Sequence, residues 1–226
     1  MDQNLQDIAD KIIKYLDQKN VQYSDVRADQ QVKNSALIEN NDIEHIKNNE
    51  DKGVGVRLIK NGTWSFCSIT NPNSFDEIKN ILDNTIKNSD YRNINNKKVE
   101  LHSNPANKRE INFPVLKKPD IEELIKMGLE CNKIISATPK IIKSIAHASY
   151  TVNSKYFVNS EGSEILQNFT DIIMEMVATA HESGQTQSVN ITEGGRGGLE
   201  LITNKIQQSA KEISKKASEL IYAKPV

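Results

Sequence analysis

The chain has 226 residues, 37% of them hydrophobic, which is enough for one large or two small domains around a buried core. Lys and Arg number 29 against 30 Asp and Glu, a formal net charge of -1, so no global field draws the chain to nucleic acid or an acidic membrane, and such a partner would need a local patch. No apolar stretch approaches the roughly 20 residues that span a bilayer, Met1-Asp2-Gln3-Asn4 lacks a signal-peptide pattern, and Cys67 and Cys131 stand far apart, so buried thiols in a reducing cytoplasm are expected.

The first unit is read over residues 1–90. Leu5, Ile8, Ala9, Ile12, Ile13 and Leu16 share one helical face, with Asp7, Lys11, Lys14 and Asp17 largely off it, which predicts an amphipathic helix. Val54, Val56 and Leu58 then alternate with Gly55, Arg57 and Ile59. Asn61-Gly62 gives a type I′ turn signal, and Trp64, Phe66 and Ser68 carry the return strand, which makes a hairpin. Ser74 with Glu77 forms a capping box after Pro72, and Phe75, Ile78, Leu82 and Ile86 supply the stripe of a second helix.

Residues 91–118 form an Asn-, Lys- and Pro-rich connector with no strong structural signal. Lys97, Lys98, Lys108, Arg109, Lys117 and Lys118 make it locally basic, but Glu100 and Glu110 dilute the charge and few aromatics interleave for base stacking. A solvated linker is favoured over a nucleic-acid arm.

Residues 119–226 repeat the plan. Asp120 and Glu123 signal a helix start after Pro119, followed by Ile121, Leu124, Ile125 and Ile135. Ala146, Ala148, Tyr150 and Val152 alternate, Asn159-Ser160-Glu161-Gly162 turns the chain, and Met174, Met176, Ala178 and Ala180 alternate before Glu182-Ser183-Gly184. A last helix is expected from about Leu199, with Ile202, Ile206, Ala210, Ile213, Ala217 and Leu220 inward. The whole reads as an α+β fold of two helix–meander–helix units with antiparallel sheet. An internal repeat at about 119 residues would lay Asn34-Ser35 on Asn153-Ser154, Asn40 on Asn159, Ile46 on Ile165 and Asn49 on Asn168.

Chemistry-bearing motifs are sparse. His181-Glu182 opens like a zinc-peptidase helix, but Gln185 and Thr186 follow where a second histidine is needed and Gly184 interrupts a helix, so a hairpin turn is expected there. No nucleophile elbow or phosphate loop of the Gly-Lys-Ser type is present. Gly53-Val54-Gly55 continues into a strand where a dinucleotide fingerprint would start a helix. The densest special feature is Gly194-Gly195-Arg196-Gly197-Gly198, whose glycines permit positive φ and close backbone approach, and whose only long side chain can hold a carboxylate. The plain reading of that turn is a helix start with an ordinary arginine ion pair. Nucleotide binding there lacks a phosphate-directed lysine.

Gly53-Val54-Gly55-Val56-Arg57, the return through Trp64 and Phe66, the Asn159-Ser160-Glu161-Gly162 turn and the glycine-arginine loop running into Leu199-Glu200 together resemble the N-terminal half of the TldD/PmbA metallopeptidases, once described as modulators of DNA gyrase. The ending in Glu200 favours the TldD branch. The resemblance implies that a His-Glu-x-x-x-His helix and a further ligand hold a catalytic zinc in a following C-terminal domain, and none of those ligands falls on this sequence. The linker to that domain is expected to begin at about Ala223-Lys224-Pro225-Val226. Family members are expected to work as homo- or heterodimers, commonly of a TldD-type and a PmbA-type subunit, enclosing a cavity that admits unfolded peptides. The resemblance therefore implies a substrate-enclosing, dimer-contacting domain that is inactive alone. Gly194, Gly195, Arg196, Gly197 and Gly198 are its candidate substrate or domain contacts. The other reading is a free-standing protein- or nucleic-acid-binding scaffold.

Overall fold

The structure, a computed structural model, describes residues 1–92 and 98–223. Lys97 of the connector and residues 224–226 of the expected linker lie outside the described residues. In chain order the elements are α1 (Gln3–Asp17), β1 (Tyr23–Glu39), β2 (Asp42–Lys60), β3 (Thr63–Thr70), α2 (Phe75–Arg92), β4 (Lys108–Asn112), α3 (Ile121–Ser136), β5 (Ile141–Asn159), β6 (Glu164–Glu182), β7 (Gln185–Arg196) and α4 (Ile206–Leu220), with a 3₁₀ turn at Leu199–Leu201. The strands form one seven-stranded sheet in the order β3-β2-β1-β5-β6-β4, with β7 also on β6. The protein is thus an α+β fold with a largely antiparallel sheet, in which β4 runs parallel to β6.

Two compact units are present. The first comprises Met1–Gln31, Glu50–Asn112 and Asn153–Asn168. Asp2 starts α1 by accepting the Asn4 N–H at 3.0 Å, which satisfies one of the helix's unpaired first-turn donors. The predicted stripe then buries Leu5, Ile8, Ala9, Ile12 and Leu16 against Val26, Ala28, Val54, Val56 and Leu58 of the strands and Ile78, Leu82 and Ile86 of α2. Each large aliphatic side chain so covered contributes roughly 1.5–3 kcal/mol. The expected hairpin is present: Asn61 and Gly62 take φ 53 and 74, and the register sets Arg57 opposite Phe66 and Gly55 opposite Ser68. At α2 the Glu77 carboxylate reaches back to the Asn73 N–H at 3.2 Å, one residue before the Ser74 position that the capping box predicts.

Part of the connector is ordered as a strand. Lys108–Asn112 pairs with Glu164–Asn168, and side-chain bonds fix it: Asn107 N–H to Ser163 Oγ at 3.1 Å and Asn168 Nδ2 to Asn112 Oδ1 at 2.9 Å. Polar edge pairing of this kind leaves no apolar alternation in the sequence.

The second unit comprises Val32–Asn49, Phe113–Val152 and Phe169–Val226. Asp120 caps α3 by accepting from Glu122 and Glu123 N–H. Leu124, Cys131 and Ile135 pack on Ala146, Ala148, Ile172, Met174, Met176, Ala178 and Ala180 from the strands, and on Ile206, Ala210, Ile213 and Ala217 from α4. The last helix departs from expectation at both ends. Gly198 offers no side-chain cap, and Leu201 and Ile202 N–H bond three residues back, so the chain makes a 3₁₀ turn before α4 begins at Ile206. Leu220 is exposed, and Ile221, in the turn that follows, is buried in its place.

The repeat at an offset of about 119 residues is not established. Asn159 ends β5, but Asn40 lies just past the end of β1, where Asn40 and Asn41 form a two-residue turn at φ 49 and 72, whereas Asn159 keeps a negative φ and its side chain accepts the Ser163 N–H across a longer turn.

Candidate functional site

The glycine-arginine turn lies in the second unit, where β7 ends against β6. Ser183 and Gly184, at φ 49 and 81, make the tight turn between these strands, and the register then runs to Asp171 opposite Arg196. His181 and Glu182 therefore sit at a hairpin, as expected. His181 Nδ1 pairs with Thr186 Oγ1 at 2.9 Å, while Glu182 pairs with Lys140 at 3.0 Å and with the Tyr222 hydroxyl.

Gly194, Gly195 and Gly197 take φ 142, 149 and 151, conformations that side-chain-bearing residues rarely adopt. At Gly194 a side-chain carbon would fall 2.0 Å from the Ile172 carbonyl oxygen, and at Gly198 another would fall 2.0 Å from the Lys117 carbonyl oxygen. Glycine is required here by close backbone approach as well as by torsion. The turn is tied down by Gly197 N–H to Thr170 O and Leu199 N–H to Lys117 O, each at 2.9 Å.

Arg196 is held on three sides. Its Nε lies 3.3 Å from Asp171 Oδ1, and its guanidinium lies 4.0 Å from the Phe169 ring centroid and 4.9 Å from that of Phe113. The two rings meet edge to face at 6.0 Å. The Asp171 pair is partly exposed to water, so exchange with another carboxylate costs little. Asp171, Phe113 and Phe169 were not singled out by sequence; the one available signal was an aromatic residue, Phe113, at the end of a polar connector.

Glu200 staples the turn. Its Oε1 accepts the Gly198 N–H at 2.7 Å and its Oε2 the Lys117 N–H at 2.8 Å. Desolvation by itself would raise its pKa, but the surrounding backbone N–H groups, those of Gly198 and Lys117 first among them, together outweigh this and hold the carboxyl below its ordinary value. The acidic residue that follows the glycine-arginine loop thus has a structural duty in the turn.

The other motif lies in the first unit. Gly53 approaches the Ile69 carbonyl closely, with 3.2 Å left for a side-chain carbon, while Gly55 faces open space. Arg57 donates from Nε to both oxygens of Asp25 at 3.0 and 2.8 Å, and Asp25 is fully buried. Trp64 packs beneath Arg57, edge to face with Tyr23 and stacked on Phe66. Among the described residues, no three His, Cys, Asp or Glu side chains converge where they could share a metal ion.

Two family models match the chain: domain 1 of the PmbA/TldA metallopeptidases over residues 24–89 and their central domain over residues 114–222. A metalloprotease of Methanocaldococcus jannaschii is 30% identical over 90% of this chain, and one of Methanothermobacter thermautotrophicus is 22% identical over 91%. The chain spans about half the length of these curated relatives, 45% and 44% respectively. Among solved structures, a Bacteroides thetaiotaomicron protein named as a modulator of DNA gyrase superposes with TM-score 0.80 at 17% identity, over 100% of this chain and 52% of its own. A Thermotoga maritima protein of the same description gives TM-score 0.75 at 13% identity, covering 98% and 49%. TldE from Thermococcus kodakarensis gives 0.66 at 13%, covering 93% and 47%.

Proposed function

This chain belongs to the PmbA/TldD metallopeptidase family, and we propose that it is the substrate-enclosing and partner-contacting part of a TldD-like zinc metallopeptidase that cleaves unfolded peptides. By itself it does not cleave. The zinc and its ligands belong to a C-terminal domain in this reading, and a PmbA/TldD-type subunit completes a homo- or heterodimer. The work is cytoplasmic and needs no membrane.

The observation that carries the reading is the exposed strand β7, which among the described strands pairs with β6 alone and ends in the Arg196 turn. An extended peptide can add along such an edge through backbone hydrogen bonds, which select for unfolded substrate and not for its sequence. The exposed Gly194 and Gly195 then form a wall that lets the peptide approach the backbone, the buried Gly197 and Gly198 hold the turn behind it, and Arg196 exchanges Asp171 for a carboxylate of the substrate or of the catalytic domain.

The test is hydrolysis of an unstructured peptide in the presence of zinc, by this chain and by the same chain extended through the reading frame that follows Val226. Activity in the extended protein alone supports the reading. Chelator-sensitive activity in this chain overturns it, and activity in neither shifts weight to a binding scaffold.

A further inference from the structure

On the first unit, the sheet face opposite α1 and α2 carries an unassigned depression of about 380 Å³, lined by Arg27, Gly55, Arg57, Phe66 and Ser68. Alternation along the strands puts it there. Val26, Ala28, Val54, Val56 and Leu58 point to the helices, so Arg27, Gly55 and Arg57 point away from them. Gly55 is its floor: a side-chain carbon at this position would meet nothing within 4 Å, so the missing side chain is what opens the space.

Two guanidinium groups border it. Buried Asp25 fixes Arg57 side-on and lies 3.6 Å from Arg27 Nη1, so one carboxylate positions both cations. The Arg57 side chain is 35% exposed and that of Arg27 51%, so both remain open to a ligand. Apolar surface flanks them, because Phe66 is 64% exposed and Phe157 lies beneath Arg27 at 5.5 Å.

We propose that this depression is a subsite for the free C-terminal carboxylate of an extended peptide, with the terminal apolar side chain laid on Phe66. Arg27 and Arg57 donate charge-assisted hydrogen bonds to the carboxylate, in a setting where fixed geometry favours one anionic group. The volume suits one terminal residue and not a running segment. Single-stranded nucleic acid fits less well. Asp25 already offsets one of the two cations, and Trp64 is covered by Arg57 and Phe66 where a base would have to stack. The inference rests on the peptide-handling reading above and adds to it a preference for one end of the peptide.

Trp64 is the sole tryptophan and lies under Arg57, so its fluorescence reports on the subsite. The purified chain is titrated with a short Gly/Ser peptide ending in Leu, with the same peptide amidated at its C-terminus, and with oligo-dT. The free-acid peptide is expected to give a saturable change that weakens about tenfold or more on amidation. Gly55→Val fills the floor from a β-carbon that meets nothing within 4 Å, and Arg27→Gln removes one cation without stripping Asp25 of Arg57. Both are expected to lose the response while keeping the far-ultraviolet circular dichroism of the parent.

Equal binding of the amidated peptide, or of the free acid by Gly55→Val, overturns the subsite. So does tighter binding of oligo-dT, or the absence of any peptide response. The extended protein separates these failures from failure of the peptidase reading. If it cleaves peptides with no dependence on Gly55→Val or on a free C-terminus, the subsite is wrong and the peptidase reading stands.

Discussion

Gly194 and Ile172 approach so closely that a side-chain carbon on Gly194 would fall 2.0 Å from the Ile172 carbonyl oxygen. With φ at 142, the position is closed to other residues by both space and torsion. Gly194→Ala is expected to destabilise the protein by at least about 1–3 kcal/mol, measured as a fall in the urea midpoint. Gly55→Ala is the control. It meets open space at a torsion other residues accept, so it is expected to be neutral or to stabilise by up to about 1 kcal/mol. Equal effects of the two would show that close approach does not govern the glycine-arginine turn.

Arg57 and Asp25 form the other close pair, and here burial sets the magnitude. Asp25 is fully buried, so Arg57→Ala leaves it without its main cation, at an expected cost of about 3–5 kcal/mol in urea unfolding. Arg57→Lys keeps the charge but loses the side-on geometry, and is expected to fall between the two. A loss below about 1 kcal/mol for Arg57→Ala would mean the pair behaves as an exposed one.

Glu200 gives the turn a pH dependence of definite sign. Its pKa is depressed in the folded chain, so the folded chain binds that proton less readily than the unfolded chain does. Its contribution is complete above the ordinary carboxyl range and disappears as pH falls through the lowered value. Glu200→Gln retains one acceptor oxygen and is expected to lose about 1 kcal/mol near neutral pH, with the difference from the parent vanishing in acid. An unchanged difference at low pH would sink this account.

The thiols are predicted to be slow. Burial, with the charge of Glu130 adding to it, pushes Cys131 up to about 12, and burial raises Cys67 against a partial offset from Thr85. A thiol reagent near pH 8 should label the half-buried Cys67 first and Cys131 only on unfolding. Prompt labelling of Cys131 in the native protein would place it outside the core.

The helices were legible because each carries its own period and its own start signal, as Leu5, Ile8, Ile12 and Leu16 show for α1 and Asp120 for α3. The hairpin at Asn61-Gly62 was legible because positive φ at both turn positions demands those residues. β1 and the first half of β2 were not. Between Asp29 and Asp51 the chain is dominated by Asn, Gln, Lys, Glu and Asp, and most of β2 in that stretch is exposed, so no alternation was written into it. β4 was hidden for the same reason, since its pairing rests on polar side chains of β6 and the turn before it.

By itself the sequence determined the helical stripes, the turns that require glycine or asparagine, and a set of motifs dense enough to point to one family. Those are local properties, fixed by torsion, capping and period. Tertiary structure alone decided the company that Arg196 and Arg57 keep. Asp171 and Phe169 reach Arg196 only through the β6–β7 register, with Phe113 joining them from the connector. Asp25 on β1 reaches Arg57 on β2, 32 residues later in the sequence. A side chain's charge is written in the chain, but the partner that positions it is set by long-range pairing, which no short window of sequence contains.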